Sequence, residues 1–233
     1  PLLFADAELK RFNFNDSKLE YRFLHDRVQQ AAYSLIADNQ KKVTHLKIGQ
    51  LLLKNTQSAQ LEDNIFDIVN QLNIGIELIA HQDEKNELVQ LNLIAGKKAK
   101  ASNAYEAAVK YLNVGLELLA PDSWLYQYDL TLNLYVEATD AQYLNTNYDR
   151  ANQLSTIVLS QAKTLLEKVP VYETKIQFYI AQNQMQPAID TGLEVLQMLG
   201  YSLNAEPPNP LTIEQLLNLP EMQDPYQLAA QRI

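Results

Sequence analysis

Three histidines and a few adjacent carboxylates are the residues of this chain that could do chemistry. His25, His45 and His81 lie far apart and none belongs to an H-E-x-x-H pair, so their spacing builds no zinc site. Glu62-Asp63 and Asp83-Glu84 could exchange protons, but each pair opens an amphipathic run, where carboxylates complement a helix dipole. The six glycines, at 49, 75, 96, 115, 192 and 200, are too scattered for G-x-x-x-x-G-K-S/T or G-x-G-x-x-G, so no phosphate-cradling loop is complete. The absence of cysteine excludes disulfides and thiolate metal sites. No catalytic residue, metal ligand or cofactor is assigned to this segment, which reads as noncatalytic.

The tyrosines could form an aromatic ladder for bases or another ligand. Tyr105, Tyr111, Tyr126, Tyr128, Tyr135, Tyr143, Tyr148, Tyr172 and Tyr179 fall at helical spacings, however, where a place in the core or at its rim is the commoner use. Some aromatic residues of a solenoid also line its concave surface, and Tyr135, Gln142 and Tyr179 are the candidates for such a binding groove. Trp124, after Pro121-Asp122-Ser123, reads as an anchor at a helix start that Asp122 or Ser123 caps.

The elements that carry these residues are helical. Tyr105-Glu106-Ala107-Ala108, Tyr148-Asp149-Arg150-Ala151 and Met185-Gln186-Pro187-Ala188 each end a turn and open an amphipathic run, with the alanines 43 and 37 residues apart. That is about one helical hairpin, close to the roughly 34-residue tetratricopeptide period. Gly96 and Gly115 fit its register around Ala108, where close helix contact leaves no room for a Cβ. Ala138, Thr139 and Gln142 with Ala151, Ser155 and Val158 form a second unit; Pro187, Ala188, Gly192 and Val195 belong to a third, which Gly200 ends. Upstream, Ile65, Ile68, Val69, Leu72, Ile76 and Ile79 share one helical face, as do Leu88, Leu91, Ile94, Ala95 and Ala99. The fold class is all-α, a stack of tetratricopeptide-like hairpins.

The first segment differs. Phe4, Leu9, Phe12 and Phe14 precede the alternating Leu19-Glu20-Tyr21-Arg22-Phe23, which suggests a small hairpin. Helices from Arg27, with Asp26 as cap, to about Ala37 and from Lys41 to Lys54 come next. Residues 1–57 are therefore expected to be a winged-helix-like end, 58–203 the helical repeats, and 204–233 a Pro-rich connector leading past a short helix at Thr212–Leu217 into a further helix from Asp224. Residues 1–54 hold nine Lys/Arg against six Asp/Glu, whereas 55–233 hold ten against twenty-two. So acidic a field disfavours nucleic acid and anionic membranes as partners of the repeats and leaves protein or neighbouring domains. A basic winged-helix-like end leaves DNA as a separate possibility for the first segment. No apolar run approaches a membrane span, and Pro1-Leu2-Leu3-Phe4 has neither a basic leader nor an initiator Met. The expectation is an excerpt of a cytoplasmic protein.

Phe23-Leu24-His25-Asp26-Arg27-Val28-Gln29-Gln30-Ala31-Ala32-Tyr33-Ser34-Leu35-Ile36 resembles the signature closing the STAND/AAA-like ATPase module of large serine/threonine kinase and histidine kinase hybrids common in cyanobacteria. His45–Leu53, Ile65–Asn73, Leu91–Lys100 and Ala104-Tyr105 are similar to the region downstream of that signature in those proteins, so the resemblance covers nearly the whole chain in order. It implies a middle region, between an ATPase and sensor and histidine kinase domains, that relays signals or docks partners, with ATP or ADP bound by the parent protein. Leu24-His25-Asp26 is similar to the Met-His-Asp motif of related ATPases, with Leu in place of Met, and in those proteins the histidine reaches the β-phosphate of ADP. The resemblance thus implies nucleotide sensing by His25 and Asp26. An Asp26 helix cap beside a partly buried His25 explains the same residues without a nucleotide.

Overall fold

The computed structural model describes residues 3–5, 21–23, 26–202 and 222–233. His25, the proline-rich connector and the expected helix at Thr212–Leu217 lie outside the described residues. Two three-residue strands, β1 (Leu3–Ala5) and β2 (Tyr21–Phe23), pair antiparallel with Leu3 opposite Phe23, in keeping with the alternation around Tyr21. The rest is helical, and the class is all-α.

Helix α1 spans Asp26–Ser34 and α2 spans Asp38–Asn55, so the break falls earlier than the apolar pattern suggests. The expectation of one helix through Ile79 is corrected: α3 runs Leu61–Ile74 and a 3-10 turn follows at Ile76–Leu78. A Cβ on Gly75 would lie 2.7 Å from Leu46 Cβ and 2.9 Å from the Lys42 carbonyl. The chain crosses α2 there with no space for a side chain, and Ile79 still reaches the core from beyond the break.

Three hairpins come next: α4 (Gln82–Ala101) with α5 (Tyr105–Leu118), α7 (Tyr128–Leu144) with α8 (Tyr148–Gln161), and α9 (Leu165–Ala181) with α10 (Met185–Met198). A four-residue helix, α6 (Ser123–Tyr126), bridges the first two, and α11 (Pro225–Arg232) packs on α9. The first helices of successive hairpins meet side by side, α4 on α7 and α7 on α9. The buried residues form three clusters along the stack, the first holding Ile65, Ile68 and Val69 of α3 with Leu112 and Leu134. Val158 and Val171 belong to the second, and Val169, Val195 and Ala229 to the third.

All three hairpin turns have the same geometry. Asn103, Thr146 and Asn183 take φ of 59°, 62° and 58°, a left-handed cap that closes the first helix. The next N–H reaches back five residues: Ala104 to Ala99, Asn147 to Gln142 and Gln184 to Tyr179, at 2.8–2.9 Å. Ala108, Ala151 and Ala188 then enter the core with 5% exposure or less. Gly200, at φ 90°, ends α10 as its position implies.

Small residues set how closely the helices approach. A Cβ on Gly96 would meet Leu112 Cγ at 2.5 Å, and Leu112 is fully buried, whereas one on Gly192 would meet Ile233 at an ordinary 3.7 Å. The two sites therefore predict opposite signs. Gly96→Ala is expected to destabilise by about 1–2 kcal/mol, overpacking outweighing helix propensity. Gly192→Ala is expected to stabilise by about 0.5–1 kcal/mol. Urea unfolding of the two variants checks this, and a shift in the same direction for both would contradict the packing. Thr146 is β-branched in a left-handed position that asparagine fills in the other two turns. Thr146→Asn should stabilise by about 0.5–1 kcal/mol, raising Tm by about 1–4 °C, and a lowered Tm would show that the turn carries no strain.

Candidate functional site

Polar side chains cross the helix interfaces in sequence, and they are the chemistry this fold positions. Tyr33 of α1 hydrogen-bonds His45 Nε2 of α2 at 2.7 Å, and His45 Nδ1 meets Gln71 Oε1 of α3 at 2.5 Å. Asn73 of α3 and the fully buried Asn92 of α4 exchange amide hydrogen bonds at 2.9 and 3.0 Å. Tyr111 of α5 donates to Asn70 of α3, its ring stacked on Phe66 with centroids 5.6 Å apart. One turn of α3, Asn70 to Asn73, thus touches α2, α4 and α5.

The side on which the first helices meet carries a charged seam. Lys100 of α4 sits 2.6 Å from both Glu137 and Asp140 of α7, Lys97 lies 3.6 Å from Glu137, and Thr174 of α9 reaches Asp140 at 3.5 Å. Farther along, Arg232 of α11 pairs with Glu173 at 2.7 Å. Burial pulls the Lys100 ammonium down, but the hydrogen-bonded Asp140 and Glu137 outweigh it and leave its pKa raised. A cavity of about 190 Å³ opens among Lys100, Glu137, Asp140, Glu173, Thr174 and Gln177. The seam presents fixed charges and hydrogen-bonding groups, with the Thr174 hydroxyl donated to the Pro170 carbonyl at 2.9 Å.

A third node joins α7 to α9. Thr164-Leu165-Leu166-Glu167 forms a capping box, and Glu167 Oε2 also accepts from the Tyr128 hydroxyl at 2.8 Å and the Lys163 N–H at 2.7 Å. Burial pushes the Glu167 carboxyl up, yet the donated bonds from Tyr128, Thr164 and Lys163 hold it below the ordinary value. Lys163 Nζ lies over the Tyr128 ring, 3.6 Å from its centroid. The S/T-x-x-E spelling of this box is readable in the sequence, but its contact with Tyr128 is not.

The groove candidates all fall on first helices, with different surroundings. Tyr135 packs against Trp124 at 5.2 Å, part of the wall where α6 meets α7. Trp124 covers that junction as expected, although Asp122 makes no side-chain cap. Gln142 is 3% exposed and clamps its own turn: its Oε1 accepts from Asn147 Nδ2 at 2.9 Å and its Nε2 donates to Asn113 at 3.3 Å. Tyr179 is half-buried beside Phe178, with Lys175 5.8 Å from its ring centre. Asp26 is the first residue of α1.

At the other end, α2 leaves Val43, Ile48, Leu51 and Leu52 exposed, and Ile36 and Leu78 are exposed as well. A shallow cavity of about 780 Å³ lies between Ile36, Val43 and Leu78, flanked by Lys42 paired with Glu77. Among the described residues no group of three or more His, Cys, Asp or Glu side chains could hold a metal ion, and no helix is long and apolar enough to cross a membrane.

No family model and no solved structure matches the chain. Over 210 aligned residues, 80% of the chain, it is 31% identical to Hybrid signal transduction histidine kinase G of Dictyostelium discoideum. The match spans 6% of that relative's length. The chain is thus similar to one region of a signalling histidine kinase.

Proposed function

We propose that this chain is a noncatalytic interaction and relay region of a multidomain signalling kinase, its helices passing the state of one neighbouring domain to another. The observation that carries the reading is the succession of side-chain ties, from Tyr33, His45 and Gln71 through Asn73 and Asn92, Lys100 and Asp140, and Tyr128 and Glu167 to Glu173 and Arg232. Helices tied in this way respond to displacement together more readily than separately, which is what relaying requires. The similarity to a small part of a much longer histidine kinase supports a parent with other domains to connect. The exposed apolar face of α2 supports docking of a neighbouring domain beside the first hairpin.

In this reading the parent carries histidine kinase and serine/threonine kinase activities and a STAND-type ATPase that binds ATP or ADP, and it works in the cytoplasm. Residues 1–57 are the end of the ATPase module, 58–203 the repeats, and 204–233 the connector with the start of the next element. Partners are proteins or domains of the same polypeptide, met in part through Tyr135 and Tyr179.

Calorimetry of residues 1–233 with ADP and ATP is expected to show no binding. Micromolar binding that is lost in His25→Ala would instead support a nucleotide-responsive segment in which His25 and Asp26 contact phosphate. In the polypeptide that carries this chain, excising the α9–α10 hairpin is expected to change the rate of histidine autophosphorylation, and an unchanged rate would contradict a relay.

A further inference from the structure

Helix α1 leads into the stack. Arg27, Gln30, Ala31 and Tyr33 are exposed, Tyr33 by 43%. A hydrogen bond between Tyr33 and His45 Nε2 joins α1 to α2. The two rings meet edge to face at 5.7 Å, and Lys41 Nζ, itself paired with Asp38, lies 5.0 Å from the centre of the Tyr33 ring.

A neutral imidazole carries one N–H, and the bond made by one nitrogen decides what the other can do. Gln71 presents its carbonyl oxygen to Nδ1, which favours a proton on that nitrogen. Nε2 is left as an acceptor, aimed at the Tyr33 hydroxyl. Gln71 comes from α3, in the turn that also holds Asn70 to Tyr111 and Asn73 to Asn92. Its carbonyl is therefore positioned by the first hairpin.

We propose that Gln71 is a positioning residue that fixes His45 as its Nδ1–H tautomer, and that His45 in this form latches α1 to the helical stack through Tyr33. The latch ties α1 to the turn of α3 that contacts α4 and α5. Its purpose rests on the relay reading but its test does not, because nucleotide binding would overturn that reading without moving the His45 proton.

The test is nitrogen NMR of the His45 ring together with amide hydrogen exchange of residues 26–34, on the whole chain in alkaline buffer at about pH 9. The wild type is expected to show Nδ1–H with Nε2 accepting. Gln71→Leu removes the acceptor on α3 and should move His45 toward the Nε2–H form, with the Tyr33 hydroxyl then accepting where it had donated. Gln71→Glu keeps the acceptor and should retain the tautomer. Tyr33→Phe should leave the tautomer in place and speed exchange in α1 by about fivefold, the scale of one net hydrogen bond. An Nε2–H tautomer in the wild type, an Nδ1–H tautomer kept in Gln71→Leu, or α1 exchange unchanged in Tyr33→Phe, would overturn the proposal.

Discussion

The fold depends on helices meeting where one of them has no side chain. Gly96 faces Leu112, Gly115 faces Leu134, Gly49 faces Leu72 and Gly75 faces Leu46, and in each pair an added Cβ would lie no more than 3.0 Å from its neighbour. Backbones this close share a narrow interface, so polar side chains beside the contact can reach across. The His45–Gln71 contact is an example, since it joins α2 to α3 beside the Gly49–Leu72 and Gly75–Leu46 approaches. Between α3 and α4 a buried amide costs stability unless its partners are satisfied, and the reciprocal pairing of Asn73 and Asn92 satisfies both. Between α2 and α3, close approach and a polar tie therefore occur together.

The same arrangement shapes how the molecule can act. Each hairpin ends its first helix with a left-handed residue and turns the chain back within three residues, so the second helix has little freedom of direction. The charged seam of Lys100, Glu137 and Asp140 and the Tyr128–Glu167 node then hold neighbouring hairpins at defined positions. An exposed ion pair contributes little to stability, but these groups are partly buried and linked, which favours one arrangement over many. In the proposed relay, a stack tied in this way would move in units larger than one hairpin. That property suits a region placed between other domains of a signalling polypeptide.

How much of the fold and of its polar ties is legible in the residues depends on whether the cause is local. The alanines at 108, 151 and 188 are legible because each opens a helix at a repeated position and must be small there. Gly96 and Gly115 can be read for the same reason. The end of α3 is harder to read: Ile76 and Ile79 continue the apolar period past Gly75, the cap, where the chain crosses Lys42 and Leu46. Gln142 reads as a polar residue on a helix face, but its amide belongs to its own turn, a use set by the left-handed Thr146. The capping box at Thr164 is spelled out locally. The Tyr33, His45 and Gln71 chain is not, since it joins three helices through residues 12 and 26 positions apart.

The central claim is that the helices from α3 to α9 behave as one mechanically coupled body. Native-state hydrogen exchange across a series of low denaturant concentrations measures this most directly, because it resolves which amides open together. In a coupled body, the slowest amides of α3, α4, α5, α7 and α9 converge on a common opening free energy and denaturant dependence. Separate values for each hairpin, with α4–α5 opening independently of α7–α8, would contradict it.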